Sequence, residues 1–238
     1  MTTALISHDD CLGHTPPEGH PEQVARQGRV LDALASLDLL RMAAPPARDE
    51  DIARVHPQRY IDRIAAAAPE TGEVALDGDT WMTPGSMMAA RRGAGAAIRA
   101  VDAVMAGEAS NVFCATRPPG HHAERETPMG FCLFGNAALA AQYALDRHGL
   151  KRVAVVDFDV HHGNGTQDLL WDEPRALFVS SQQFPLWPGT GYFNEIQQFK
   201  QQAISASEAK LSGIVDAQPG HVPQIDGVST SSQSLADA

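Results

Sequence analysis

Val153-Ala154-Val155-Val156-Asp157-Phe158-Asp159-Val160-His161-His162-Gly163-Asn164-Gly165 runs from an apolar, strand-sized segment straight into carboxylates, imidazoles and glycines. The VAVVDF run at 153–158 is the strongest strand pattern in the chain, and Thr166–Trp171 after it reads as one or two helical turns. Ala176–Ser180 is a further strand. Upstream, Asn136–His148 is helical and stops at Gly149, while Asn111–Ala115 is another short apolar strand. Continuous apolar strands alternating with helices predict an α/β protein, a parallel sheet flanked by helices on both faces. Ligand sites in such sheets lie beyond the carboxyl ends of the strands. That rule selects the segments after Ala115, after Phe158 and after Ser180.

Further out, Thr3–Ser7 reads as a strand, and a helical pattern from Pro21 puts Val24, Leu31, Leu34 and Leu37 on one face. A second helix from Pro57 uses Tyr60, Ile61, Ile64 and Ala68. Residues 69–85 read as loop, after which Ser86 caps a long Ala-rich helix that Gly107 ends. From about Glu195 the composition shifts to Gln, Ser and Ala. Ile196, Phe199, Ala203 and Ile204 fit one helix face through about Leu211, and 216–238 reads as loose chain. The expected division is therefore a domain over 1–195 and a divergent tail over 196–238.

The 238 residues fit one ordinary domain, with 43% apolar and 20% charged residues. No run of about 18 uncharged apolar residues exists, so no membrane span is expected. The start carries no secretory pattern, and three cysteines without a CxxC fit a reducing cytoplasm. Lys+Arg 18 against Asp+Glu 29 gives −11, which argues against nucleic-acid binding and suits a cationic or neutral ligand. Oligomeric state is left open. Ten histidines direct the search for a site.

If the segment after Phe158 is extended, Asp157, Asp159 and His161 alternate onto one side. Carboxylate oxygen and imidazole nitrogen suit a first-row metal, and a catalytic Zn²⁺ site uses three protein groups and leaves one position open. A solvated polar loop is the plainer alternative. A phosphate cradle is disfavoured because GxGxxG and GK[ST] are absent and the acids repel phosphate. In Arg117-Pro118-Pro119-Gly120-His121-His122, prolines and glycine hold a histidine pair rigidly. Neighbouring imidazoles divide into acid and base if one meets a carboxylate and the other an amide, and Asp157 and Asn164 offer one of each. Gly130-Phe131 and the Phe184–Gly191 segment containing Trp187 offer two rings for a narrow aliphatic slot, or pack as ordinary loops. Ser180 and Ser181 offer oxygens to a cation, or simply end a strand. His8, His14, His20 and His56 read as structural, and the cysteines as inert.

RPPGHH at 117–122, GFCLFGNAALAA at 130–141, VVDFDVHHGNGTQ at 155–167 and WPGTG at 187–191 together resemble the histone deacetylase family, in its bacterial and class II-like branch with the acetylpolyamine amidohydrolases. GHPE at 19–22, His56–Tyr60, and DGDT with PGS at 77–86 are similar to it as well. The resemblance implies an arginase/deacetylase fold and a Zn²⁺-dependent amidohydrolase that removes acetyl groups from acetyl-lysine peptides or acetylpolyamines. It implies Asp159 and His161 as zinc ligands, and His121 and His122 as the tandem catalytic histidines, with His122 the general base. Asp157 and Asn164 become their partners, and Gly130, Phe131 and Trp187 line the substrate channel. Asp157, Asp159, His161 and Ser180 correspond to a structural monovalent-cation site, as for K⁺.

The sequence also departs from the family. A third ligand, an Asp in a loop resembling SAGFDAH, and a Tyr in a Gly-rich loop are not present; Asp216 and Asp226 do not sit in comparable settings. The expectations are weaker zinc binding, an open site, an exposed sheet edge and an uncovered core face. Loss of an oxyanion donor alone lowers rates by about 10²–10³. A catalytically silent deacetylase-like module is therefore the alternative. Binuclear arginase-like hydrolysis wants an Asp where Gly163 stands.

Overall fold

Val153–Asp157 (β6) pairs in parallel with Ala176–Ser180 (β7), in register from Val153 opposite Ala176 to Asp157 opposite Ser180. Thr3–Ser7 (β1) is flanked in parallel by Leu40–Ala43 (β2) and Asn111–Cys114 (β5), so Ala4, Leu5 and Ile6 are buried. The computed structural model describes residues 1–192. The expectations for the tail, including the helical face from Ile196 and the settings of Asp216 and Asp226, lie outside the described residues.

Between β1 and β2 lie a 3₁₀ turn, Asp9–Gly13, and the helix Ala25–Ala33 (α1). Asp49–Ile52 (α2) and Gln58–Ala67 (α3) follow, then a small antiparallel hairpin of Val74–Ala75 (β3) with Trp81–Met82 (β4). Ser86–Met105 (α4), Asn136–Arg147 (α5) and Asn164–Leu170 (α6) complete the described helices. No helix among the described residues is long and apolar enough to cross a membrane.

Small residues on α4 allow close packing. A Cβ at Gly95 would sit 1.8 Å from the Pro45 carbonyl oxygen, so only glycine lets the α4 backbone reach the Pro45–Ala47 segment. The main core joins Tyr60, Ile61 and Ile64 of α3 to Met82, Phe134, Leu139 and Leu170. The Tyr60 hydroxyl donates to the Leu133 carbonyl at 2.7 Å. α4 packs on β5, α5 packs on β6, and the two helices pack on each other. One helical layer thus runs beneath two separate parallel sheets, β2-β1-β5 and β6-β7. β5 and β6 are not hydrogen-bonded to one another. The exposed edge and bare face expected from the sequence are here: Val156, Phe158, Leu177 and Val179 face solvent, Phe158 at 87% exposure.

Several local expectations need correction. α1 begins at Ala25, not Pro21, because Glu22 turns its side chain inward to Arg117 while its N–H bonds His20 Nδ1 at 3.1 Å. Its apolar face is largely unburied, with Leu37 exposed. Residues 69–85 contain the β3–β4 hairpin. Ser86 is the buried first residue of α4 and not its cap; its hydroxyl accepts the Thr83 N–H at 2.8 Å and lies 2.7 Å from His14 Nδ1. Gly107 does end α4, in a left-handed conformation at φ 73°.

Two buried histidines make stability pH-dependent. His56 Nε2 accepts the Gly135 N–H at 2.9 Å and Nδ1 faces the Arg125 carbonyl at 3.1 Å, which leaves no place for a second ring proton. Burial lowers the pKa of His56, and of His14, from 6.5 to about 4. Between those values the unfolded chain binds more protons, so stability is complete above about pH 6.5 and is lost as pH falls toward 4. Each histidine should remove about 2 kcal/mol of stability between roughly pH 7 and 5. Denaturant midpoints should fall accordingly, and less steeply in His56→Asn. Equal midpoints at the two pH values would contradict the assignment.

Candidate active site

After β6 the backbone turns instead of continuing extended, which corrects the alternation expected for Asp157, Asp159 and His161. Asp157 Oδ1 accepts the Asp159 N–H at 3.1 Å, and Asp159 Oδ1 accepts the His161 N–H at 2.8 Å. Two successive side-chain-to-backbone turns are what Asp supports at a strand end. They still bring Asp159 and His161 together, with His161 Nδ1 3.3 Å from Asp159 Oδ1. Two donors about 2.0–2.1 Å from one tetrahedral ion lie roughly 3.4 Å apart, so this spacing fits neighbouring ligand positions. Both side chains are partly exposed to the cavity. Among the described residues no group of three His, Cys, Asp or Glu could hold a metal ion.

The second half of the site comes from the loop after β5. Arg117 anchors it: its guanidinium is buried, pairs bidentately with the buried Glu22 carboxylate, and donates to the carbonyls of Cys11 and His14. His121 Nδ1 lies 2.9 Å from Asp157 Oδ2, and His122 Nδ1 lies 2.8 Å from Asn164 Oδ1. The two imidazole centroids are 3.8 Å apart, and His122 is 5.9 Å from His161. His121 Nε2 is 4.0 Å from Asp159 Oδ1. The strand ends therefore converge on one point.

Asn164 Nδ2 donates to Glu124 Oε1 at 2.9 Å, which fixes its Oδ1 toward His122. That acceptor requires a proton on His122 Nδ1 and leaves Nε2 bare. Burial, with the neighbouring His121 adding to it, lowers the His122 pKa to about 4, so the ring is neutral near pH 7. Burial raises the Asp157 carboxyl, but the bonds from His121 and the Asp159 N–H outweigh it and hold it below the ordinary range.

The walls close around this pair. Trp187 stands edge-on to His122 at 4.6 Å and to His161 at 5.8 Å. Phe131 has a positive φ of 69°, donates its N–H to Thr80 Oγ1 at 3.1 Å, and meets the His20 ring edge-on at 4.7 Å. A cavity of about 730 Å³ is lined by His121, His122, Gly130, Phe131, Asp159, His161, Trp187 and Asp79, among others. A Cβ at Gly130 would lie 2.5 Å from His122 Cδ2 and 2.6 Å from Trp187, at a φ of 55°. Gly130→Ala should therefore displace one ring and destabilise the chain by about 1–3 kcal/mol, read from its denaturant midpoint. A neutral effect would show that the rings have slack.

The Ser180 hydroxyl oxygen is buried without a hydrogen-bond partner, beside Asp157 across the β6–β7 ladder. An orphaned oxygen of this kind suits a bound monovalent cation. His162 turns away from the cavity, to Thr190 Oγ1 at 2.8 Å and Gln167 Oε1 at 3.0 Å. Three acids escaped the sequence reading as site residues. Glu124 acts through a tertiary contact with no local pattern, while the Arg117 partner Glu22 stood in the GHPE segment at 19–22 without an assigned role. Asp79, raised by burial and by Asp77, was visible in DGDT but had no assigned role.

The sequence matches the family described as "Histone deacetylase domain" over residues 20–216. It is 46% identical over 169 residues to the histone deacetylase-like amidohydrolase of Pseudomonas aeruginosa, covering 71% of this chain and 44% of that protein. It is 40% identical over 214 residues to the chloroplastic histone deacetylase 10 of Oryza sativa, covering 82% of this chain and 48% of that one. The crystal structure of the HDA15 HD domain superposes with a TM-score of 0.75 at 31% identity, covering 79% of this chain and 58% of that chain. The chain thus spans about half the length of these two curated relatives.

Proposed function

Because the chain belongs to the histone deacetylase family and has its arginase/deacetylase fold, we propose that it works as a zinc-dependent amidohydrolase removing acetyl groups from acetyl-lysine or acetylpolyamine amides. The observation that carries this reading is the meeting of Asp159 and His161, 3.3 Å apart, beside the His121–His122 pair. Zinc held by Asp159 and His161 would supply Lewis-acid polarisation of an amide carbonyl and of water. His122 Nε2, bare and neutral, takes the proton from the attacking water and then delivers it to the departing amine. His121, whose Nδ1 is held 2.9 Å from the Asp157 carboxylate, is oriented by it beside His122. Phe131 and Trp187 confine the acyl-bearing chain, and Asp79 suits the cationic character of lysine peptides and polyamines. The orphaned Ser180 oxygen, opposite Asp157 across the β6–β7 ladder and with Asp159 and His161 following Asp157 in the chain, supports a structural K⁺. Three unpaired cysteines fit a cytoplasmic setting.

A catalytically silent module is the second reading, favoured by the lack of a third donor among the described residues. Acetate release from an acetyl-lysine peptide and from an N-acetylpolyamine separates the two. The enzyme reading expects release that a chelator stops and added zinc restores. No release from either substrate with zinc present selects the silent module.

A further inference from the structure

Which nitrogen of His122 is basic is decided one residue further from the cavity than Asn164. The two ends of a carboxamide are nearly identical in shape, so packing around a buried Asn does not choose between them; hydrogen-bond partners do. Asn164 is 5% exposed, so water does not stand in for a missing partner. With Oδ1 toward His122, the ring carries its proton on Nδ1 and leaves Nε2 free to take one. With the amide turned over, its N–H would point at Nδ1. The ring would then hold its proton on Nε2, and the cavity would face a donor where the reaction wants a base.

Both groups at the far end of the amide are acceptors. Glu124 Oε1 lies 2.9 Å from Asn164 Nδ2, and Met129 Sδ lies 3.3 Å from it. A carboxylate has lone pairs and no proton to give, and a thioether is a weak acceptor only. Turned over, Asn164 would lose both bonds and set its own oxygen against a carboxylate. The backbone around Glu124 is pinned on either side. Its N–H donates to the Thr127 carbonyl at 3.0 Å, and the Arg125 N–H donates to Asp168 Oδ2 at 2.7 Å. Glu126 pairs with Arg59, and its carbonyl accepts from Arg63, both on α3. From the other side the Thr166 N–H of α6 bonds the His121 carbonyl at 3.0 Å. A Cβ on Gly165 would lie 2.4 Å from the Ala123 carbonyl oxygen, so α6 sits directly on the backbone that carries Glu124.

We infer that Glu124 is a positioning residue for the His122 base: by offering Asn164 only an acceptor, it selects the ring nitrogen that takes the proton. Its effect on turnover rests on the amidohydrolase reading; its effect on the ring does not. The test reads the proton position on His122 by long-range ¹H–¹⁵N spectra of the full chain at pH 7 without zinc, the signal being assigned by its loss in His122→Ala. The parent should carry the proton on Nδ1. Glu124→Lys replaces the acceptor with a donor, so the amide should turn over and the proton should move to Nε2. Acetate release should then fall by about tenfold or more. Glu124→Gln, isosteric and at a partly exposed position, offers either end. It should populate both ring forms, with release falling in proportion to the Nδ1–H share. Glu124→Lys combined with Asn164→Asp exchanges donor and acceptor, since Asp cannot turn a donor toward the ring. That pair should restore the Nδ1 proton and bring release to within about threefold of the parent. Zinc content should hold throughout, because neither side chain belongs to the Asp159–His161 pair. A parent ring protonated on Nε2 overturns the inference. So does a folded Glu124→Lys with the parent's ring form, whatever its rate, or a double variant that fails to restore that form. Should Glu124→Lys not fold, an unchanged ring form in Glu124→Gln overturns it equally. No acetate release from the zinc-loaded parent, with the ring forms as expected, would sink the amidohydrolase reading and leave the role of Glu124 standing.

Discussion

Replacing His122 with alanine should lower acetate release by about 10²–10⁴ while leaving zinc content unchanged. The reason is local. Asn164, held in turn by Glu124, occupies Nδ1 of His122, so Nε2 is the basic atom facing the cavity. With its pKa lowered to about 4 by burial and by His121, that atom is unprotonated across the neutral range. Turnover should therefore hold steady near pH 7 and decline only as acid approaches the pKa. The ring contributes no atom to the Asp159–His161 pair, which is why metal content should survive. Rates at saturating substrate, with zinc measured on the same samples, check both halves. Full activity in the variant, or loss of zinc along with activity, would contradict the division of labour.

Glu22→Ala should have the largest effect on stability, about 3–5 kcal/mol, because it strands the Arg117 guanidinium in the interior. Arg117 is 3% exposed and Glu22 6%, and the pair joins the chain near the start to the loop carrying His121 and His122. Removing both charges at once, in Glu22→Ala with Arg117→Met, should recover part of the loss, since no unpaired ion remains. Denaturant midpoints of the two variants decide it. A single variant as mild as the double would mean the guanidinium finds water that the fold does not provide.

The parallel strands were legible because their apolar runs are continuous: β1 and β7 fall where the sequence puts them, and β6 stops one residue early at Asp157. α3 was equally plain, since Tyr60, Ile61 and Ile64 recur at helical spacing and are buried. β2 was not, because Leu40–Ala43 is largely exposed and carries no alternation. The late start of α1 depends on Glu22 reaching Arg117, a contact 95 residues away in sequence. At the site, the residue types and the two candidate partners, Asp157 and Asn164, were readable from composition and spacing, and which histidine each one meets followed only from the family resemblance; the path of the backbone was not readable. Asp157 and Asp159 capture backbone N–H groups two residues on, which bends a segment that alternation alone would leave straight. The link from Glu124 to Asn164 has no signature at all, being 40 residues apart.

Zinc bound per chain, by equilibrium dialysis followed by elemental analysis, tests the central claim most directly. The account predicts about one zinc per chain at micromolar free metal, reduced at least about tenfold by Asp159→Ala and by His161→Ala. His122→Ala should bind like the parent. A parent chain that takes up no zinc, or variants that retain it, would contradict a metal centre at the end of β6.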